Sequence, residues 1–115
     1  MVARYCLATS NIQIVMLCIY NEDAVFDWDD NNLRKIAAHR LKRVDVEQAL
    51  ANSPILIYEQ IVGGEPRFVY YGETGAGGLL AIVLTERDDR ILVVTAYKLD
   101  AGQKRDYFAR RLRGE

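Results

Sequence analysis

The hydrophobic period of this chain changes once, and that change decides what it can become. Before Asn52-Ser53-Pro54 the apolar residues recur at helical spacing; after it they alternate or run together. Proline disfavours helix at the residue before it and cannot continue the hydrogen-bond ladder, so Pro54 marks the border. Four stretches rich in β-branched and aromatic residues follow: Ile55–Ile61, Arg67–Tyr71, Leu79–Thr85 and Ile91–Tyr97. They are joined by Gly63-Gly64-Glu65-Pro66, by Glu73 to Gly78 and by Glu86 to Arg90. None of these connections is long enough for the crossover that parallel strands need, so the spacing predicts an antiparallel meander. Leu79–Leu84 and Ile91–Val94 are the most continuously apolar runs, which predicts central places for both.

Two helices precede the sheet. Leu33, Ile36, Ala37 and Leu41 fall on one helical face, with Asp29 and Asp30 at the start, where the helix dipole favours acids. Asp45-Val46-Glu47-Gln48 reads as the capped opening of a second helix, with Val46, Ala49 and Leu50 as its apolar side. After the last strand Asp100 and Gln103 form a capping box, and Ala101, Phe108 and Leu112 are expected to face inward. Val25 to Trp28 can add a short strand. The order is (β)ααββββα, an α+β fold with helices packed on one face of a four-stranded antiparallel sheet. At 115 residues and 50% hydrophobic the chain holds one modest core. We place that domain at 25–113, with 1–24 as an N-terminal extension and Met16 as a second possible start.

The charge is segregated rather than large. Net charge is −1, which argues against a protein that coats nucleic acid indiscriminately. Glu22, Asp23, Asp27, Asp29 and Asp30 cluster first; Arg34, Lys35, Arg40, Lys42 and Arg43 follow with no acid among them. Lys98, Lys104, Arg105, Arg110, Arg111 and Arg113 then gather around the junction of the last strand and the last helix. A solvated helix face accounts for either cluster alone. Two basic patches at opposite ends of a small chain point to phosphate.

Cys6 and Cys18 are too few for a metal site and sit in apolar sequence, which favours buried free thiols of a cytoplasmic protein, with a disulfide between them as the alternative. Ile12–Tyr20 is too short to span a bilayer and lacks the features of a signal peptide, so no membrane role is expected. The Gly75-Ala76-Gly77-Gly78 loop opens a strand rather than a helix, which makes it a turn and not a phosphate cradle. His39, the only histidine, lies among Lys35, Arg40 and Lys42. It is either a surface residue or a group for proton transfer and phosphate contact. Arg67 starts the second strand, while Tyr97 and Lys98 end the fourth. Should these meet at one rim, the cations would neutralise phosphate and Tyr97 would stack a base or relay a proton. Ordinary solvation of strand ends is the competing account.

Phe26-Asp27-Trp28-Asp29, Asn32-Leu33, Lys35-Ile36-Ala37 with His39, and Val46 to Leu50 together resemble the opening of the BrnT-type toxins. Arg67-Phe68-Val69-Tyr70-Tyr71-Gly72-Glu73-Thr74, Leu79–Thr85, Ile91–Ala96 and Lys98 to Tyr107 continue the resemblance over roughly residues 26–108. It implies a RelE/ParE-like fold and a toxin of a type II toxin–antitoxin module. It further implies a metal-independent endoribonuclease that cleaves mRNA, on the ribosome or free of it, and arrests translation. The implied partner is a ribbon-helix-helix (BrnA-like) antitoxin. Cofactors are not expected. Candidate catalytic residues are His39, Arg67, Tyr97 and Lys98; candidate RNA contacts are Lys35, Arg40, Lys104 and Arg105. The chain departs from the family in three places: Arg40 where Gly often follows the helix histidine, Tyr97 where Arg ends the strand, and Gln103 where an acid lies. A catalytically degenerate member that only binds its antitoxin and helps repress its operon is the alternative, and a gyrase inhibitor on the same scaffold is a third reading.

Overall fold

Asp29 starts the first helix, its carboxylate accepting from the Asn32 N–H at 2.7 Å. In this computed structural model, which describes residues 25–115, that helix is α1 (Asp30–Ala38). The expected extension 1–24, with Cys6, Cys18, Met16, Glu22 and Asp23, lies outside the described residues. The end of α1 is a reversal held by two bonds. The Leu41 N–H donates to the Ile36 carbonyl at 3.0 Å and the Arg40 N–H to the Ala37 carbonyl at 2.9 Å. Arg40 takes the left-handed conformation this turn requires, with φ 61°. Leu41 and Ile36 close it from inside, both in the core.

Helix α2 (Arg43–Ala51) begins earlier than the Asp45 expected to open it. Asp45 works instead from within the first turn, its carboxylate accepting from the Lys42 N–H at 2.9 Å. Val46, Ala49 and Leu50 form the buried side, as expected. The helix lies so close to the sheet that a Cβ on Gly72 would sit 2.6 Å from the Ala49 carbonyl oxygen. Only glycine allows that approach.

Four antiparallel strands follow in the order of the chain: β1 (Ile55–Val62), β2 (Glu65–Glu73), β3 (Leu79–Arg87) and β4 (Arg90–Lys98). Two of the turns are tighter than their sequences suggest. Gly63 and Gly64 have φ of 58° and 81°, and Asp88 and Asp89 have 51° and 63°. Positive φ at both central residues matches the natural twist of a hairpin. Glu65, Pro66, Glu86, Arg87 and Arg90 therefore become strand residues. The Thr74–Gly78 loop is a turn, as expected, closed by the Thr74 N–H on the Gly78 carbonyl at 2.8 Å and the Gly78 N–H on the Thr74 hydroxyl at 2.9 Å.

Strand β4 lies at the edge of the sheet, not in its centre. Its apolar run is explained by what covers it. Helix α1 packs against it, and Val25–Asp27 runs alongside: Ile91 donates to the Val25 carbonyl and Asp27 to the Ile91 carbonyl, both at 2.8 Å. The short strand expected at Val25–Trp28 is thus a single parallel bridge, Phe26 to Ile91. The Trp28 indole ties this segment to α2 by donating to Glu47 at 2.8 Å.

The helices are not all on one face. Phe68, Tyr70, Leu80, Ile82, Leu84 and Val93 pack with Ile36, Val46 and Leu50 of α1 and α2. The opposite face carries Ile55, Tyr71 and Ala81, which pack with Leu99 and with Tyr107 of α3 (Ala101–Leu112). Tyr107 is 3% exposed, whereas Phe108 and Leu112, expected inward, are 54% and 90% exposed. A buried tyrosine needs a partner for its hydroxyl, and here Arg111 supplies it at 3.1 Å while lying over the ring at 5.1 Å. Arg111 also donates to the Ser53 carbonyl, pinning the end of α3 to the α2–β1 connection.

One irregularity in β4 decides which face Tyr97 occupies. Leu84 pairs with Val93 and Val83 with Thr95, which leaves Val94 as an extra residue in β4. This bulge inverts the alternation of the strand. Val93 and Ala96 both join the α1–α2 core, and Tyr97 belongs to the other cluster.

Candidate functional site

His39 is the residue immediately after α1, exposed, with its backbone N–H still bonded to the Ile36 carbonyl at 3.0 Å. Its imidazole lies 6.1 Å from the Tyr97 ring, tilted by 50°. Ala38, His39, Arg40, Tyr97 and Lys98 line an open cleft of about 390 Å³. A second cleft of about 400 Å³ shares Arg40 and Lys98 with the first and is walled by Leu41, Asp45, Thr74, Gly78 and Lys104. Three candidate residues, His39, Tyr97 and Lys98, therefore come together, with Arg40 and Lys104 beside them.

Arg67 does not join them. In β2 it is Tyr71 that aligns with Ala81 and, across the sheet, with Tyr97. Arg67 lies four residues further along, about 13 Å at the usual strand rise. It pairs with Gln60 in the ladder and reaches Glu65 at 3.4 Å, whose other carboxylate oxygen takes Arg87 at 2.7 Å. The single rim expected for Arg67, Tyr97 and Lys98 is replaced by two ends of the sheet. Lys35 sits one helical turn before His39 on the same side of α1 and is exposed. Arg105 is exposed on α3 and lines neither cleft.

The cations divide by what holds them. Arg67 and Arg87 share Glu65; Arg110 binds Asp106 at 3.0 Å and Glu115 at 3.1 Å; Arg113 also takes Glu115. Among the described residues Arg40, Lys98 and Lys104 have no carboxylate partner. These three line the two clefts, while Arg34, Lys35, Lys42, Arg43, Arg90 and Arg105, likewise without a carboxylate partner among the described residues, lie outside both.

Sequence reasoning missed Tyr71. It is 7% exposed on the α3 side of the sheet, in the cluster of Ile55, Ala81 and Tyr107. Burial pushes its phenol above the ordinary tyrosine range, and the Asp106 carboxylate adds to the rise. Gln103 has the expected capping role: it accepts from the Asp100 N–H at 3.0 Å, and its own N–H donates to Asp100 at 2.8 Å. Asp45 was also missed as a cleft residue. Its only sequence signal was that of a helix start.

Chemically, an imidazole can move a proton here, two cations can neutralise a phosphate, and a tyrosine can stack or donate. Among the described residues no cluster of His, Cys, Asp and Glu could hold a metal ion. A family model described as ribonuclease toxin, BrnT, of type II toxin–antitoxin system matches residues 28–102. The chain belongs to the BrnT family. That match, over more than half of the chain, takes in His39, Tyr97, Lys98 and Arg40, and Arg67 as well. No curated protein matches the chain. Membership of BrnT makes this a ribonuclease toxin of a type II system, and such a toxin implies an antitoxin. No helix among the described residues is long and apolar enough to cross a membrane.

Proposed function

We propose that this BrnT protein is a metal-independent endoribonuclease that cuts mRNA and so arrests translation, on a RelE/ParE-like scaffold. The observation that carries the reading is the approach of His39 to Tyr97 in a cleft that Lys98 and Arg40 also line. In the proposed step the RNA 2′-oxygen bonds to the adjacent phosphorus and the bond from phosphorus to the 5′-oxygen breaks, giving a 2′,3′-cyclic phosphate and a 5′-hydroxyl that takes its proton from water. His39 takes the 2′-hydroxyl proton as general base. Lys98 and Arg40 neutralise the charge that builds on the phosphoryl oxygens. Tyr97 stacks a flanking base and holds the strand in line. Lys35 and Lys104 extend the phosphate track on either side.

A ribbon-helix-helix, BrnA-like antitoxin is the proposed partner, RNA the substrate, and the cytoplasm the setting. The test is induction of this chain without an antitoxin, following translation rate and mRNA ends within minutes. Rapid arrest with new mRNA ends is the expected result. Unimpaired translation by soluble, folded protein would overturn the reading in favour of a catalytically degenerate binder.

A further inference from the structure

The second cleft holds a feature that phosphate binding does not explain. Its lining sets the carboxylate of Asp45 among the cations Arg40, Lys98 and Lys104. A carboxylate repels phosphate. Among the described residues Asp45 forms no ion pair with Arg40, Lys98 or Lys104, although all four line one space. The gap between them is the room a ligand would fill. Below it lie Leu41 and Leu80, buried leucines that offer an apolar floor. The Thr74–Gly78 loop on the far side is rigid, locked by its own bonds and by the Gly75 N–H on the Gln48 amide oxygen at 3.1 Å. At about 400 Å³ the cleft lies at the small end of the range of small-molecule sites.

The geometry points to a nucleobase subsite beside the cut site, selective for guanine; this rests on the ribonuclease reading for its place next to a scissile phosphate. Arg40 and Lys98 line both clefts, so a phosphate held there leaves one flanking nucleotide against His39 and Tyr97 and the other against Asp45. The base, not the phosphate, enters the second cleft. A carboxylate presents two adjacent acceptors and no donor. Guanine presents two adjacent donors, N1–H and the N2 amino group, on its Watson–Crick edge. Adenine and cytosine place an acceptor next to their amino group, and uracil flanks its N–H with two carbonyls, so each sets a lone pair against a carboxylate oxygen. The bond from the Lys42 N–H occupies one lone pair of Asp45 and fixes the carboxylate in place without using up its capacity.

The discriminating variant is Asp45→Asn, which keeps an oxygen for the Lys42 N–H and so preserves the helix start. Short RNAs that differ only at the base flanking the cut, with matched 2′-O-methyl versions that cannot be cleaved, would be tested for cleavage and for binding. The expected result is a preference for guanine of about tenfold or more in the wild type, lost in Asp45→Asn. Cleavage without base preference, or a preference that Asp45→Asn leaves intact, would overturn the subsite while the ribonuclease reading stands. Guanine-selective binding without cleavage, abolished by Asp45→Asn, would support the subsite and sink the ribonuclease reading. Absence of RNA binding would overturn both.

Discussion

The rings of His39 and Tyr97 lie 6.1 Å apart although one residue ends a helix and the other an edge strand. If His39 moves the proton, His39→Ala should slow cleavage of a defined RNA by about 10²- to 10⁴-fold under single-turnover conditions. Tyr97→Phe keeps the ring and should cost much less than Tyr97→Ala. His39 is exposed, so thermal melting of His39→Ala should match that of the wild type. A fully active His39→Ala would end its candidacy.

Lys98 and Arg67 should part company. Lys98→Ala is expected to slow cleavage by about tenfold or more and to flatten the salt dependence of RNA binding by roughly one phosphate contact. Arg67→Ala, at the far end of the sheet, should leave cleavage within about twofold. The same assay on both variants decides it. Equal losses would mean that the RNA runs the length of the sheet.

Arg40 sets stability against binding. Its φ of 61° costs a non-glycine residue about 1 kcal/mol. Arg40→Gly should therefore raise the urea midpoint, by about 0.5–1 kcal/mol of stability, while weakening RNA binding. A variant that loses both would show that the Arg40 side chain also supports the fold.

Acid should act partly through Glu65. Its hydrogen bond to Arg87, with Arg67 adding, holds the carboxyl below the ordinary glutamate range despite partial burial. Its stabilising effect is therefore complete above the ordinary glutamate pKa and is lost as pH falls through the lower value in the folded protein. The stability gap between wild type and Glu65→Gln should be widest at neutral pH and should close in acid. Urea titrations over that window would reveal it; a gap that does not change with pH would rule out the linkage.

How much of this was legible depends on which residues had local partners. The hairpins, the Asp100–Gln103 cap and the buried face of α2 rest on neighbours a few positions away, and they read correctly. The place of β4 did not, because a strand covered by α1 and flanked by Val25–Asp27 carries the same apolar run as a central one. The inward face of α3 was misjudged because Tyr107 is buried among Ile55, Tyr71 and Ala81 of the sheet, neighbours that no periodicity reports. Of the candidate site, His39, Tyr97, Lys98 and Arg40 were named from charge and chemistry. The expected meeting of Arg67 with Tyr97 and Lys98 at one rim failed because a strand-end position does not say which end of the sheet it will occupy.

The Val94 bulge gives the site an unusual vulnerability. Smoothing out the bulge while keeping every residue would change no side chain of the cleft, yet plain alternation would carry Ala96 out of the core and swing Tyr97 toward α1 and α2. The position of the aromatic is stored as a parity, odd or even, and not in the chemistry of its neighbours. Two homologous chains could therefore share every cleft residue and still differ in activity through the register of one strand.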